Sequence, residues 1–182
     1  EHILSALPKD MTCPVVVAQH MPPLFTKSLA ERLGQLCAVK VVHADVSMPL
    51  RPGNAYIIVG GKHGRISGTP SAPRIEISEK PTTALYRPSV DELLQSAAEC
   101  TKANTLGVVL TGMGDDGARG GKVLFDTGAK TIAQDAESCV VYGMPRSLVQ
   151  AGAASASARP DAIAQAVAAV STSGSVRKDA AH

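Results

Sequence analysis

Apolar positions along the chain follow two rhythms. PVVVAQ (14–19), VKVVH (39–43), TLGVVL (105–110) and AKTIAQ (129–134) are short and largely apolar, and most are rich in Val. Runs of that length and composition read as strands, the Val-rich first one as a strand buried on both faces. Between them, apolar residues recur with helical spacing. LFTKSLAERLGQL (24–36) sets Phe25, Leu29, Leu33 and Leu36 on one stripe, and PDAIAQAVAAV (160–170) does the same with Ile163, Val167 and Val170. EHILSALP (1–8) groups Ile3, Leu4 and Leu7 and ends at Pro8, with no cap before Glu1. It reads as the last two turns of a helix, so the sequence is expected to start partway through a domain.

Caps and breakers set the bounds. Pro22 and Pro23 stop the first strand because they donate no hydrogen bond. SVDELLQSAAECTK (89–102) opens a helix with Ser89 and Glu92 spaced as a capping box. GARGGKVLFDTG (117–128) is a Gly-diluted helix closed by Gly128, and MPRSLVQAG (144–152) is a short helix with Pro145 in its first turn and Gly152 after its end. RPGNAYIIVGGKHGRI (51–66) reads as a strand, a Gly-rich turn and a return, and PRIEIS (73–78) alternates like a further strand. Strands alternating with helices predict an α/β fold, a mostly parallel sheet covered on both sides, interrupted by a hairpin between 51 and 78. One domain is expected over 1–170. STSGSVRKDAAH (171–182) is expected to be a disordered polar tail.

Composition narrows the partners. The chain has 182 residues, net charge +2, no Trp, three Tyr and two Phe. Neither a general pull toward nucleic acid or anionic membrane nor a base-stacking platform follows from such numbers. No apolar run approaches the ~20 residues of a membrane span. Cys13, Cys37, Cys100 and Cys139 form no C-x-x-C pair and read as reduced, buried small hydrophobes of a cytosolic protein. His2, His43, His63 and His182 show no metal-ligand spacing, so no metal is predicted.

Two loops carry candidate chemistry. LTGMGDDG (110–117) places Gly112, Gly114 and Gly117 at the G-x-G-x-x-G spacing of a dinucleotide-binding turn, with Asp135 downstream where such a site wants an acid. Asp115 and Asp116 inside the loop oppose a phosphate, however, because adjacent carboxylates repel it. A turn that delivers a carboxylate fits them better, as does a cap on the helix that follows. Asp135 then reads as a turn residue ending its strand. His20 follows the first strand, and ligands of open parallel sheets sit beyond the carboxyl ends of strands. A His and an Asp converging there are two members of a hydrolytic triad. Free amides after Leu110 could hold an oxyanion.

AQHMPPLFT (18–26), RPGNAYI (51–57), YRPSVDELL (86–94), GVVLTGMGDDGARG (107–120) and TIAQDAESCVVYGMPR (131–146) together resemble the catalytic domain of the bacterial chemotaxis protein-glutamate methylesterases. The resemblance implies a doubly wound parallel sheet with an antiparallel hairpin at one edge. It also implies hydrolysis of γ-glutamyl methyl esters on chemoreceptor helices and, in many members, deamidation of receptor glutamines, without a cofactor. By motif, the catalytic histidine falls on His20, the aspartate on Asp116, and an oxyanion-binding backbone N–H on Met113. Asp115 stands where many relatives have Asn. The family's nucleophilic serine, in a Ser-Thr-Gly-Gly turn upstream of the first helix, has no counterpart in the sequence, nor has the receiver domain that usually precedes it. Ser138 and Cys139 belong to a family stretch and are expected to be structural or cleft-lining. An interaction module without catalysis and a nucleotide-binding α/β domain are the alternative readings.

Overall fold

The computed structural model describes residues 1–81 and 83–175. Its elements in chain order are α1 (His2–Ser5), β1 (Val15–Val17), α2 (Pro23–Leu36), β2 (Lys40–Ala44), β3 (Met48–Pro49), β4 (Asn54–Ile58), β5 (His63–Thr69) and β6 (Ala72–Ser78). Then follow α3 (Val90–Cys100), a 3₁₀ turn, β7 (Leu106–Val109), α4 (Ala118–Asp126), β8 (Lys130–Gln134), α5 (Met144–Gln150), β9 (Ala156–Ala158) and α6 (Pro160–Ser175). Two parallel three-stranded sheets, ordered β1-β4-β2 and β7-β8-β9, carry the α/β architecture, and an antiparallel sheet β3-β6-β5 accompanies them.

The expected hairpin between 51 and 78 is present as β5–β6, but its first arm is not the strand read at its start. β4 does not return onto β5. It pairs in parallel with β1 and β2, while β5 pairs with β6 over Thr69↔Ala72 to His63↔Ser78. The Gly60–Gly61 turn therefore passes the chain between sheets rather than folding one back. The reason lies in the burial of β4. Ala55 and Ile57 enter one core with Leu4, Leu7 and Leu33, and Tyr56 and Ile58 enter another with Ile75 and Leu93. A strand apolar on both faces is stable only in the middle of a covered sheet. Each buried Ile there contributes roughly 1.5–3 kcal/mol. The Tyr56 hydroxyl, fully enclosed, donates to the Pro49 carbonyl and accepts from Arg51 N–H and Asn54 Nδ2, so the RPGNAY turn closes on its own tyrosine.

β1 departs in the other direction. Val15–Val17 are only half-buried, since β1 pairs on one side alone. α2 is rotated from its predicted stripe: Thr26, Ala30 and Leu33 are buried, Leu29 half-buried, and Phe25 and Leu36 exposed. A polar Thr can occupy the core because its hydroxyl donates to the Pro23 carbonyl and accepts from the Gly60 N–H. The His43 ring also meets it. The four cysteines are free thiols and half-buried rather than fully buried. Burial pushes the thiols of Cys37, Cys100 and Cys139 up. α6 runs to Ser175, past the 170 boundary read from its stripe, and residues 176–182 of the expected tail lie outside the described residues. β3 and β9, two and three residues long, are too short for a pattern to reveal.

α3, α4 and α5 share a core around Leu94, Leu124 and Leu148, against Val109 of β7 and Ala133 of β8. The glycines that dilute α4 make this closeness possible. A Cβ on Gly121 would collide with the Leu148 side chain, and one on Gly120 with the backbone of Asp91. This tight α3–α4 pair carries the candidate site.

Candidate active site

His20 sits in the loop between β1 and α2, and Asp116 sits in the turn between β7 and α4. The fold brings them together: His20 Nε2 lies 2.7 Å from Asp116 Oδ2. An ionised carboxylate only accepts, so Nε2–H donates, and the imidazole presents Nδ1 as its basic atom. Tyr86 stacks on the ring face, with centroids 4.4 Å apart and planes 11° from parallel. Its two recorded partners, Asp116 and Tyr86, thus hold His20 along the ring plane and against its face.

Asp116 is 5 % exposed. Besides His20, three donors from the start of α3 reach it. Ser89 Oγ donates to Oδ1 at 2.8 Å, Val90 N–H to Oδ2 at 2.7 Å and Asp91 N–H to Oδ1 at 2.9 Å. Burial by itself would raise the pKa, but the bonds from His20, Asp91, Val90 and Ser89 outweigh it and hold the carboxyl below the ordinary carboxylate range. Hydrogen bonds to a charged group contribute about 1.5–3 kcal/mol each, enough for four to offset the several kcal/mol of desolvating one carboxylate. The α3 macrodipole acts in the same sense.

Helix capping therefore differs from the local reading. Asp116 caps α3 rather than the helix that follows it in sequence. α4 is capped by Asp91 instead, whose Oδ1 accepts from Gly117 N–H at 3.0 Å and Gly120 N–H at 2.7 Å. The capping box at Ser89 is half formed: Ser89 Oγ accepts from Glu92 N–H, but the Glu92 carboxylate pairs with Arg65. The Ser89 N–H goes to Nδ1 of buried His63, whose Nε2 faces the Pro81 carbonyl. Ser89, Asp91 and Glu92 lie in a family stretch and His63, Arg65 and Pro81 lie outside all of them, and no local pattern pairs any of these residues across the fold.

The turn holding Asp116 is anchored at several points. Thr111 N–H donates to Oε1 of buried Gln134, Gly112 N–H to the Val141 carbonyl, and Gly143 and Met144 N–H to the Gly112 carbonyl. Gly143 is required here, because a Cβ would lie 2.6 Å from the Gly112 oxygen. Gly114 and Gly117 adopt positive φ, +90° and +98°, within this turn. The amides of Gly112 and Gly117, two of the three glycines a dinucleotide motif would use, are thus taken by protein acceptors. Met113, 76 % exposed, donates no backbone hydrogen bond to any of the described residues. Toward the described residues Asp115 supplies only its carbonyl, to Ala118 N–H. Asp135 accepts from the Ser138 amide and hydroxyl and is a turn residue, as expected. Ser138 also accepts from Gln134 Nε2, through both its carbonyl and its hydroxyl, and Cys139 Sγ faces the Gln134 carbonyl, so each has a partner within its own turn.

Beside His20 an open cleft of about 400 Å³ is lined by Met21, Pro22, Pro23, Gly61, Leu85, Tyr86 and Arg87. Among the described residues, no group of three or more His, Cys, Asp or Glu could hold a metal, and no helix is long and apolar enough to cross a membrane.

Known proteins share this arrangement of chain. Protein-glutamate methylesterase/protein-glutamine glutaminase 1 of Oleidesulfovibrio alaskensis is 46 % identical over 167 residues, covering 92 % of this chain and 45 % of the relative. The corresponding protein 2 of Shewanella denitrificans is 47 % identical over 154 residues, covering 85 % and 44 %. The chain spans about half the length of the curated relatives it matches. The crystal structure of the Thermotoga maritima CheB methylesterase catalytic domain superposes with a TM-score of 0.88 at 37 % identity, covering 93 % of this chain and 89 % of that one. The family described as CheB methylesterase matches residues 1–167, and with the fold in agreement, the chain belongs to that family.

Proposed function

We propose that this chain supplies the histidine and aspartate of a Ser-His-Asp esterase that hydrolyses glutamyl methyl esters on chemoreceptors, in the cytoplasm, and releases methanol. The observation that carries the reading is the 2.7 Å bond between His20 and a buried, four-fold bonded Asp116. The serine comes from a segment upstream of Glu1. The half-buried, one-sided β1, next to His20, is where such a segment would add.

In this reading the serine attacks the ester carbonyl as His20 Nδ1 takes its proton. Asp116 stabilises the imidazolium, and the Met113 N–H faces the developing oxyanion. The tetrahedral adduct expels methoxide, which leaves as methanol with the proton from His20. Water then attacks the acyl-enzyme by the same route, and glutamate and serine are released. Ammonia leaves in place of methanol when the substrate is glutamine, so deamidation uses the same groups. The open cleft, with Leu85 85 % exposed on its wall, suits a protein surface better than an enclosed small molecule.

The test is methanol release from methylated receptor by the full-length protein. His20→Ala should lose nearly all activity and Asp116→Asn a large part, since single triad deletions cost ~10⁴-fold in related chemistry. Undiminished activity in both variants refutes the proposal. If the full-length protein has no upstream serine, the chain is instead a docking module of the same fold.

A further inference from the structure

We propose that Asp91 is a positioning residue for Asp116, acting through the backbone of Gly117. The inference rests on the esterase reading. Asp91 and Asp116 cap each other's helices. The Asp91 N–H holds Asp116 Oδ1 at 2.9 Å, while Asp91 Oδ1 holds Gly117 N–H, the peptide that immediately follows Asp116, at 3.0 Å. A second bond from Gly120 N–H, 2.7 Å, ties the same oxygen to the first turn of α4.

The Asp116 carboxylate is therefore gripped by α3 at its oxygens and by Asp91 at its main chain. Either grip alone leaves a hinge: Gly117 has φ +98° and no side chain to restrict it. With Asp91 removed, the turn can swing about Gly117 and carry the carboxylate off the line of His20 Nε2. Asp91 Oδ2 faces Arg119 at 3.4 Å, but Arg119 is largely exposed, so charge is the lesser part of its role. What the geometry requires of residue 91 is a short side chain with an oxygen at Oδ1.

The test compares Asp91→Ala, Asp91→Asn and Asp91→Glu in the full-length protein. Asn keeps an acceptor oxygen at the same reach, whereas Glu keeps the charge and loses the reach. Asp91→Ala should lower kcat about 10- to 100-fold with KM nearly unchanged. Asn should restore most of kcat and Glu little. Carbon-detected NMR of the Asp116 carboxyl should show its pKa rising toward the ordinary value in the Ala and Glu variants, but not in the Asn variant. The inference is overturned if Glu restores kcat as well as Asn does, if the Ala variant keeps its kcat and changes in KM alone, or if the Asp116 titration does not move. If Asp91→Ala does not fold, the Asn-against-Glu comparison decides by the same criteria. A wild-type protein that releases no methanol would defeat the esterase reading, and the carboxyl titration would then decide the clamp alone.

Discussion

Replacing Gly120 with Ala adds one carbon at the tightest point between α3 and α4. The new Cβ would lie 2.7 Å from Asp91 Cα and 2.9 Å from its carbonyl carbon, and closer still to the carbonyl oxygen, where ordinary contact begins at 3.4 Å. These atoms are backbone within a helix, so no rotamer change relieves the overlap. The two helices must part by roughly 0.7 Å or more. Overpacking of this kind costs about 1–3 kcal/mol, and backbone overlap points to the upper part of that range. For a domain of this size each kcal/mol lowers Tm by roughly 2–4 °C, giving a fall of about 5–10 °C. The same displacement moves the amides that hold Asp116, and misplacement on the order of 1 Å costs up to ~10²-fold in rate. Gly34→Ala is the control. Gly34 is exposed on α2, and a Cβ there meets nothing within 4 Å. It should stabilise by up to ~1 kcal/mol through helix propensity. Calorimetry of both variants, with methanol release as the second readout, checks the pair. A Gly120→Ala protein that melts with the wild type and retains its kcat would refute the close α3–α4 packing and its link to Asp116.

Two further outcomes follow from the site. Tyr86→Phe keeps the ring stacked on His20 and should stay near wild-type kcat, whereas Tyr86→Ala should lose roughly 10-fold or more; equal rates in the two would show that the stack does not orient the imidazole. Because the folded pKa of Asp116 is depressed, its contribution to stability is complete above the unfolded value of ~3.9 and is lost as pH falls through the folded value. Urea titrations below pH ~4 should therefore show Asp116→Asn losing less stability on acidification than the wild type, and parallel losses would count against the assigned cause.

Local periodicity was enough to place most of the helices and strands, because burying an apolar stripe or an apolar run depends on residues adjacent in sequence. The candidate chemistry of the two strand-end loops was legible for a related reason. Adjacent acids in the Gly-rich turn disfavour phosphate whatever surrounds them, and the motifs around His20 and Asp116 mark both as candidate site residues. Where the reading went astray, a distant partner had intervened. α2 turned Thr26 inward because Gly60 supplies its hydrogen bond, and β4 left its neighbour β5 because both of its faces are apolar. Ser89 was legible as a cap, yet its hydroxyl also binds Asp116, and Glu92 turned away to Arg65. The sequence alone thus determined that His20 and Asp116 are the candidate pair, since that follows from side-chain chemistry and motif, and the fold brings the two within bonding distance. Only the tertiary structure decided which helix Asp116 caps, that Asp91 returns the cap, and that Tyr86 covers the imidazole. Those bonds join segments tens of residues apart, and no local pattern encodes an energy that exists only once two helices and a loop are packed together.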